Sequence, residues 1–227
     1  MLSIENVSKR FGAAAVLNGA SMRVGHSESV GLVGKNGSGK STLLRIVSRI
    51  LFCDGGSIDW DGQSLLGSDV TLRRSLLYLG HEPGFYPALS ASENLHYLAD
   101  LYGVERSSAL IAEKLEEVGL DSFRKGPIRN YSRGMLQRLL LAKALMLQWS
   151  LLLMDEPTTG LDSDGMELLS ALIASWRKEG RSLLIISHDN AWISAHVDRM
   201  YVLEEGKIKS REGGMSAPHH SDLVTAV

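Results

Sequence analysis

The sequence predicts an α/β fold built on a mainly parallel sheet covered by helices on both faces. Two observations carry most of that prediction. Residues 151–154 (LLLM) and 183–186 (LLII) are short, uninterrupted apolar runs, the pattern of strands buried on both sides. Residues 29–33 (SVGLV) lead through a glycine-rich turn into STLLRIVSRIL, where Leu43, Leu44, Ile46, Val47 and Ile50 recur at helical spacing. Strand, glycine-rich loop and helix therefore follow one another, as in sheets whose strands alternate with helices.

The remaining elements follow in chain order. Residues 2–7 alternate apolar and polar side chains like a half-buried strand. Gly55 and Gly56 read as a turn into a short strand over 57–59. The character changes at 84–135, where Gly84 and Pro87 break the chain and helical patterns follow at 91–102 and 107–118, with Gly119 at a helix stop. A helix over 168–176 and a strand over 200–203 complete the pattern. The expected organisation is a core over 1–83 and 136–210, a helical insertion over 84–135, and a weakly patterned tail over 211–227.

The bulk composition narrows the function. Lys and Arg number 24 against 26 Asp and Glu, a net charge of −2, which argues against nucleic acid as the main partner. One cysteine, Cys53, leaves no intrachain disulfide or cysteine metal cluster and fits a reducing, cytoplasmic setting. The charged start MLSIENVSKRFG is no secretory signal, and no run approaches the ~18 apolar residues of a membrane span. A role in a membrane process would have to pass through another chain.

Residues 34–41 (GKNGSGKS) match the phosphate-binding loop G-x-x-x-x-G-K-[ST]. Gly34, Asn36, Gly37, Ser38 and Gly39 would turn backbone N–H groups toward phosphate oxygens. Lys40 would reach the β- and γ-phosphates, and Ser41, followed by Thr42 at the helix start, would place a hydroxyl on Mg²⁺. In LLLMDEP (151–157), an apolar strand ends in two acids. Asp155 is placed to hold Mg²⁺ and Glu156 to polarise an attacking water. Taken alone, the two acids could equally be a solvated strand end or a helix cap. YSRGMLQR (131–138) opens a helical run, and Ser132 can cap a helix whose N-terminus faces a phosphate, although an ordinary capped core helix reads the same way.

In this order, YSRGMLQR, LLLMDEP, TTGLD (158–162) and SHD (187–189) resemble the motifs of the ABC (ATP-binding cassette) ATPases, and the likeness runs over about residues 1 to 210. The resemblance implies a P-loop fold with a parallel core sheet, an antiparallel β portion and a helical subdomain. It implies ATP hydrolysis with Mg²⁺ in a homodimer, where Ser132, Gly134 and Asp162 of one chain meet the nucleotide of the other. It makes His188 a γ-phosphate switch and Phe11 the aromatic stacked on adenine, the alternative for Phe11 being a core position. Tyr131, Arg133 and Met135 depart from the usual signature, and Arg133 would have to turn away from the phosphate. Glu82 stands where the family has a metal-side glutamine, and a carboxylate can still bind Mg²⁺.

The stretch LLYLGHEPGFYPALSASENLHYLADLYG is similar to the ATPases of haem export and cytochrome c biogenesis, with drug, lipid or polysaccharide exporters close behind. The resemblance implies an integral membrane partner met near residues 83–101 at the inner face of the cell membrane. ABC ATPases of DNA repair or translation usually carry coiled-coil insertions or tandem cassettes, which do not fit in 227 residues, and a stand-alone nucleotide-binding switch is the other alternative.

Overall fold

The structure, a computed structural model, describes residues 1–67, 70–80, 84–121 and 125–211. Of the tail read over 211–227, Arg211 ends the last strand and 212–227 lie outside the described residues, as does Glu82.

The chain begins with an antiparallel pair, β1 (Leu2–Phe11) and β2 (Ala14–Val24), and adds β3 (Ser29–Val33), α1 (Lys40–Val47), β4 (Gly55–Trp60) and β5 (Gln63–Ser64). Then come α2 (Val70–Arg74), β6 (Leu76–Leu79), α3 (Ala91–Tyr102), α4 (Ser108–Glu117) and α5 (Arg133–Met146). The last part alternates: β7 (Leu151–Asp155), α6 (Ser163–Lys178), β8 (Ser182–Ile186), α7 (Asn190–His196), β9 (Arg199–Glu204) and β10 (Lys207–Arg211). The strands form a four-stranded sheet, β2-β1-β4-β5, and a six-stranded sheet, β10-β9-β3-β8-β7-β6. The first is antiparallel; in the second only the β9–β10 pair is antiparallel.

The apolar continuity of the central strands has a direct cause. Along β7, Leu152 and Met154 face one hydrophobic core, shared with α3 to α6, while Leu151 and Leu153 face another, shared with α1 and the antiparallel sheet. β8 divides the same way, with Leu183 and Ile185 on one side and Leu184 and Ile186 on the other. With both faces covered, every position of β3, β7 and β8 is buried.

Local signals set the helix ends. Ser90 and Glu93 form a reciprocal capping box at the start of α3, and Gly103 closes it in the left-handed conformation, so the helix spans the residues its pattern predicts. Ser107 caps α4. Three sequence expectations change. The helix read through Ile50 ends at Val47, leaving Ile50 exposed. Gly55 and Gly56 lie inside β4, because Gly55 pairs with Ser8 and extends the ladder beyond the predicted turn. The strand read over 2–7 runs to Phe11, because β2 folds back along its whole length.

Leu153 is fully buried between β6 and β8. Leu153→Ala is expected to destabilise the fold by about 2–5 kcal/mol, read as a lowered urea midpoint at unchanged slope.

Candidate active site

The site forms where β3, β7 and β8 end side by side. β3 runs into Gly34, whose position admits no side chain: an added Cβ would lie 2.5 Å from the carbonyl oxygen of Leu203 on β9. The loop then turns sharply, with the Ser38 N–H donating to the Lys35 carbonyl, and α1 starts at Lys40 with no acidic residue in its first turn. Its N-terminal dipole is therefore free to meet an anion. Lys40 is buried and folds back across the loop, its Nζ donating to the carbonyls of Gly34 (2.8 Å) and Lys35 (3.1 Å).

Asp155 ends β7 and is buried. One carboxylate oxygen accepts from the Ser41 hydroxyl at 3.0 Å, the other from the Tyr78 hydroxyl at 3.3 Å. Burial, reinforced by the Asp155 charge, pushes the Tyr78 phenol up to about 12, so it remains a donor across the neutral range. The Ser41 and Asp155 oxygens converge, and such a pair suits a hard, oxygen-seeking cation such as Mg²⁺.

Glu156 follows in a left-handed conformation, φ 54°, one that non-glycine residues adopt at a cost of about 1–3 kcal/mol. Its N–H still donates to Ile186 at the end of β8, which anchors the kink. The kink brings the carboxylate to His188: Oε2 accepts from the His188 backbone N–H at 3.1 Å and lies 2.7 Å from Nδ1. Glu156 is largely buried, whereas the imidazole is 66% exposed.

Lys40, Ser41, Glu156 and His188 share one cleft of about 640 Å³, whose lining does not include Asp155 or Tyr78. Phe11, Asn36, Gly37, Gly39, Lys40, Ser41, Thr42, Glu156 and His188 all border it, together with Val16 and Thr159. Phe11 is 51% exposed there, so it is a cleft residue rather than a core one. Gly34 and Ser38 do not line this cleft and support the loop from behind, the Ser38 hydroxyl being buried without a hydrogen-bond partner. Thr159 belongs to the TTGLD motif, whereas no sequence signal singles out Tyr78 or Val16. β2 pairs with β1 through several register shifts, so no simple alternation marks Val16, and nothing local marks the Tyr78–Asp155 contact.

Ser132, Gly134 and Asp162 also lie outside the cleft lining. Ser132 caps α5, its Oγ accepting from the Met135 N–H at 3.2 Å. Gly134 meets the TTGLD loop of its own chain: an added Cβ would come within 2.4 Å of the Gly160 carbonyl, and one on Gly160 within 2.9 Å of the Arg133 Cβ. Asp162 caps α6 and pairs with Arg138 at 2.7 Å, and that guanidinium with the Gly165 N–H holds its carboxyl below the usual range. Arg133 borders a small cleft with Gly80, Asp155, Glu156 and Thr159 of its own chain.

A glycine-rich anion cradle beside two consecutive carboxylates at the end of a buried strand defines a P-loop nucleoside triphosphatase. More narrowly, the ABC transporter family model matches residues 17–159; the chain belongs to this family and is an ATP-binding, ATP-hydrolysing subunit. The lantibiotic transport ATP-binding protein of Streptococcus pyogenes is 35% identical over 92% of this chain and 89% of its own. The cytochrome c biogenesis ATP-binding export protein of Bradyrhizobium diazoefficiens is 37% identical over 78% of this chain and 86% of its own. A dimeric bacterial ABC transporter cassette of known structure has the same fold, with TM-score 0.82 at 24% identity, covering 94% of this chain and 100% of that one. The haem-export group is thus one set of relatives among several.

The Tyr78 phenol supports a prediction with a defined sign. Its raised value leaves stability unaffected below pH 10 and erodes it as pH climbs from 10 toward about 12, where the unfolded chain ionises and the folded one resists. Tyr78→Phe should flatten that alkaline decline, compared by urea unfolding at pH 9 and pH 11.

Proposed function

We propose that two copies of this chain close face to face on two ATP molecules, and that a separate membrane subunit uses their closing and release to drive export. One observation carries the proposal: the cleft has its phosphate loop, Glu156 and His188 in one chain, while the capped turn at Ser132 lies outside it. A single chain thus presents two half-sites, and a second copy would complete each. The dimeric cassette of the same fold gives a precedent in its own case.

In this reading the N–H groups of Asn36, Gly37 and Gly39 and the start of α1 receive the phosphates. Lys40 exchanges its loop carbonyls for β- and γ-phosphate oxygens. Phe11 stacks on the adenine. Ser41 and Asp155 would hold Mg²⁺, which supplies charge neutralisation at the phosphates when bound. Glu156 polarises the attacking water, and His188, paired with it at 2.7 Å, senses the γ-phosphate. Ser132 and Gly134 meet the other copy's nucleotide, with Asp162 at the seam.

No described helix is long and apolar enough to cross a membrane. The partner is met through the helical portion over 84–135, where Tyr86, Tyr97 and Leu101 are exposed. The chain then works peripherally at the inner face of the membrane. Two cargo readings have separate support. The match to the cytochrome c biogenesis protein favours haem export, and the longer match to the lantibiotic protein favours an antibiotic or peptide. Deleting the gene separates them: loss of covalent haem staining of c-type cytochromes supports the first, and sensitivity to membrane-active peptides with normal cytochromes supports the second.

Glu156→Gln tests the core of the proposal. It should bind ATP normally, lose about a hundredfold or more of its turnover, equivalent to about 2.7 kcal/mol, and elute as an ATP-dependent dimer. Normal turnover would remove Glu156 from its role, and a monomer under saturating ATP would remove the closed pair.

A further inference from the structure

Phe11 is the last residue of β1 and borders the nucleotide cleft half-exposed, so little core packing fixes its ring. The strand that carries it is also loosely paired. β1 pairs with β4 only as far as Ser8, opposite Gly55. Its pairing with β2 shifts register between Val7 and Lys9 and again between Lys9 and Arg10. Irregularities of this kind bend a strand and re-aim its side chains.

Asp54, directly before β4, takes over where the ladder stops. Its N–H donates to the Ser8 carbonyl at 2.8 Å. One carboxylate oxygen accepts from the Arg10 N–H at 2.7 Å, in the place of the next strand carbonyl, and the other accepts from the Lys9 ammonium at 2.8 Å. That ammonium lies over the Phe11 ring, 5.6 Å from its centre and within cation–π range, on a side chain only 13% exposed. Arg10 closes the turn beyond Phe11, donating through Nη2 to the Ala13 carbonyl at 2.7 Å. The bond from Lys9, followed by that from the Arg10 N–H, holds the Asp54 carboxyl below the usual carboxylate range, so it is ionised at neutral pH. One residue thus grips the three that lead into Phe11, and neither Asp54 nor Lys9 lines the cleft.

We propose that Asp54 is a positioning residue for the nucleobase: through Lys9 and the Arg10 N–H it fixes the Phe11 ring for stacking on adenine, and so gives the chain its preference for ATP over a bare triphosphate. The inference rests on the placement of adenine on Phe11 given above. In this arrangement Lys9 covers one face of the ring and the base takes the other. Residues 48–53 join Asp54 to the end of α1, the helix that starts at the phosphate loop. The grip on the base and the grip on the phosphates therefore share one short piece of chain.

The test compares binding of ATP and of tripolyphosphate, which has no base, both with Mg²⁺, to the full chain by isothermal titration calorimetry. Wild type, Asp54→Ala and Phe11→Ala are measured side by side. Asp54→Ala should lose about fivefold in ATP affinity while its tripolyphosphate affinity stays within about twofold, which also reports an intact fold. Phe11→Ala should lose about tenfold for ATP alone. If Asp54→Ala keeps the wild-type ratio of the two affinities, whether by losing neither ligand or both equally, while Phe11→Ala lowers it, the positioning role is overturned and adenine stacking stands. A ratio unchanged in both variants overturns the stacking as well.

Discussion

Charge has no place inside the central sheet, and the rest of the architecture follows from that exclusion. β3, β7 and β8 are buried on both faces, so a polar group within them would be stripped of water without compensation. Polar chemistry is therefore displaced to the strand ends. Because the three strands are parallel neighbours, those ends open on the same side. The glycine loop, the two acids and the histidine become neighbours in space although well over a hundred residues separate the first from the last.

At that edge the backbone does as much as the side chains. The bend at Gly34 exists because the Leu203 carbonyl occupies the space of a side chain. Glu156 is held in an uncommon conformation between the end of its own strand and a hydrogen bond to the next. Such strain persists only where the surroundings over-determine it, and here two fully buried strands do so. The result is a carboxylate fixed against His188, largely shielded on its own side, with the imidazole facing the open cleft.

How much of this was legible in the sequence depended on how local each signal was. The phosphate loop is a contiguous motif, and α3 carries both its capping box and its terminal glycine within a few residues, so each could be read directly. β2 was not assigned because its pairing with β1 shifts register several times, which destroys simple alternation. The meeting of Glu156 with His188 spans 32 residues and depends on Asp155 lying opposite Ile186, a register that composition does not reveal. Tyr78 was hidden for the same reason: it sits in an otherwise apolar strand, and its target lies on the neighbouring one.

The contact between Gly134 and Gly160 has a consequence for sequence change. Backbone touches backbone there, and not even a methyl group fits at either residue. Variation in this corner is consequently channelled outward: flanking residues can grow, as Arg133 and Met135 illustrate, while the two at the seam are frozen.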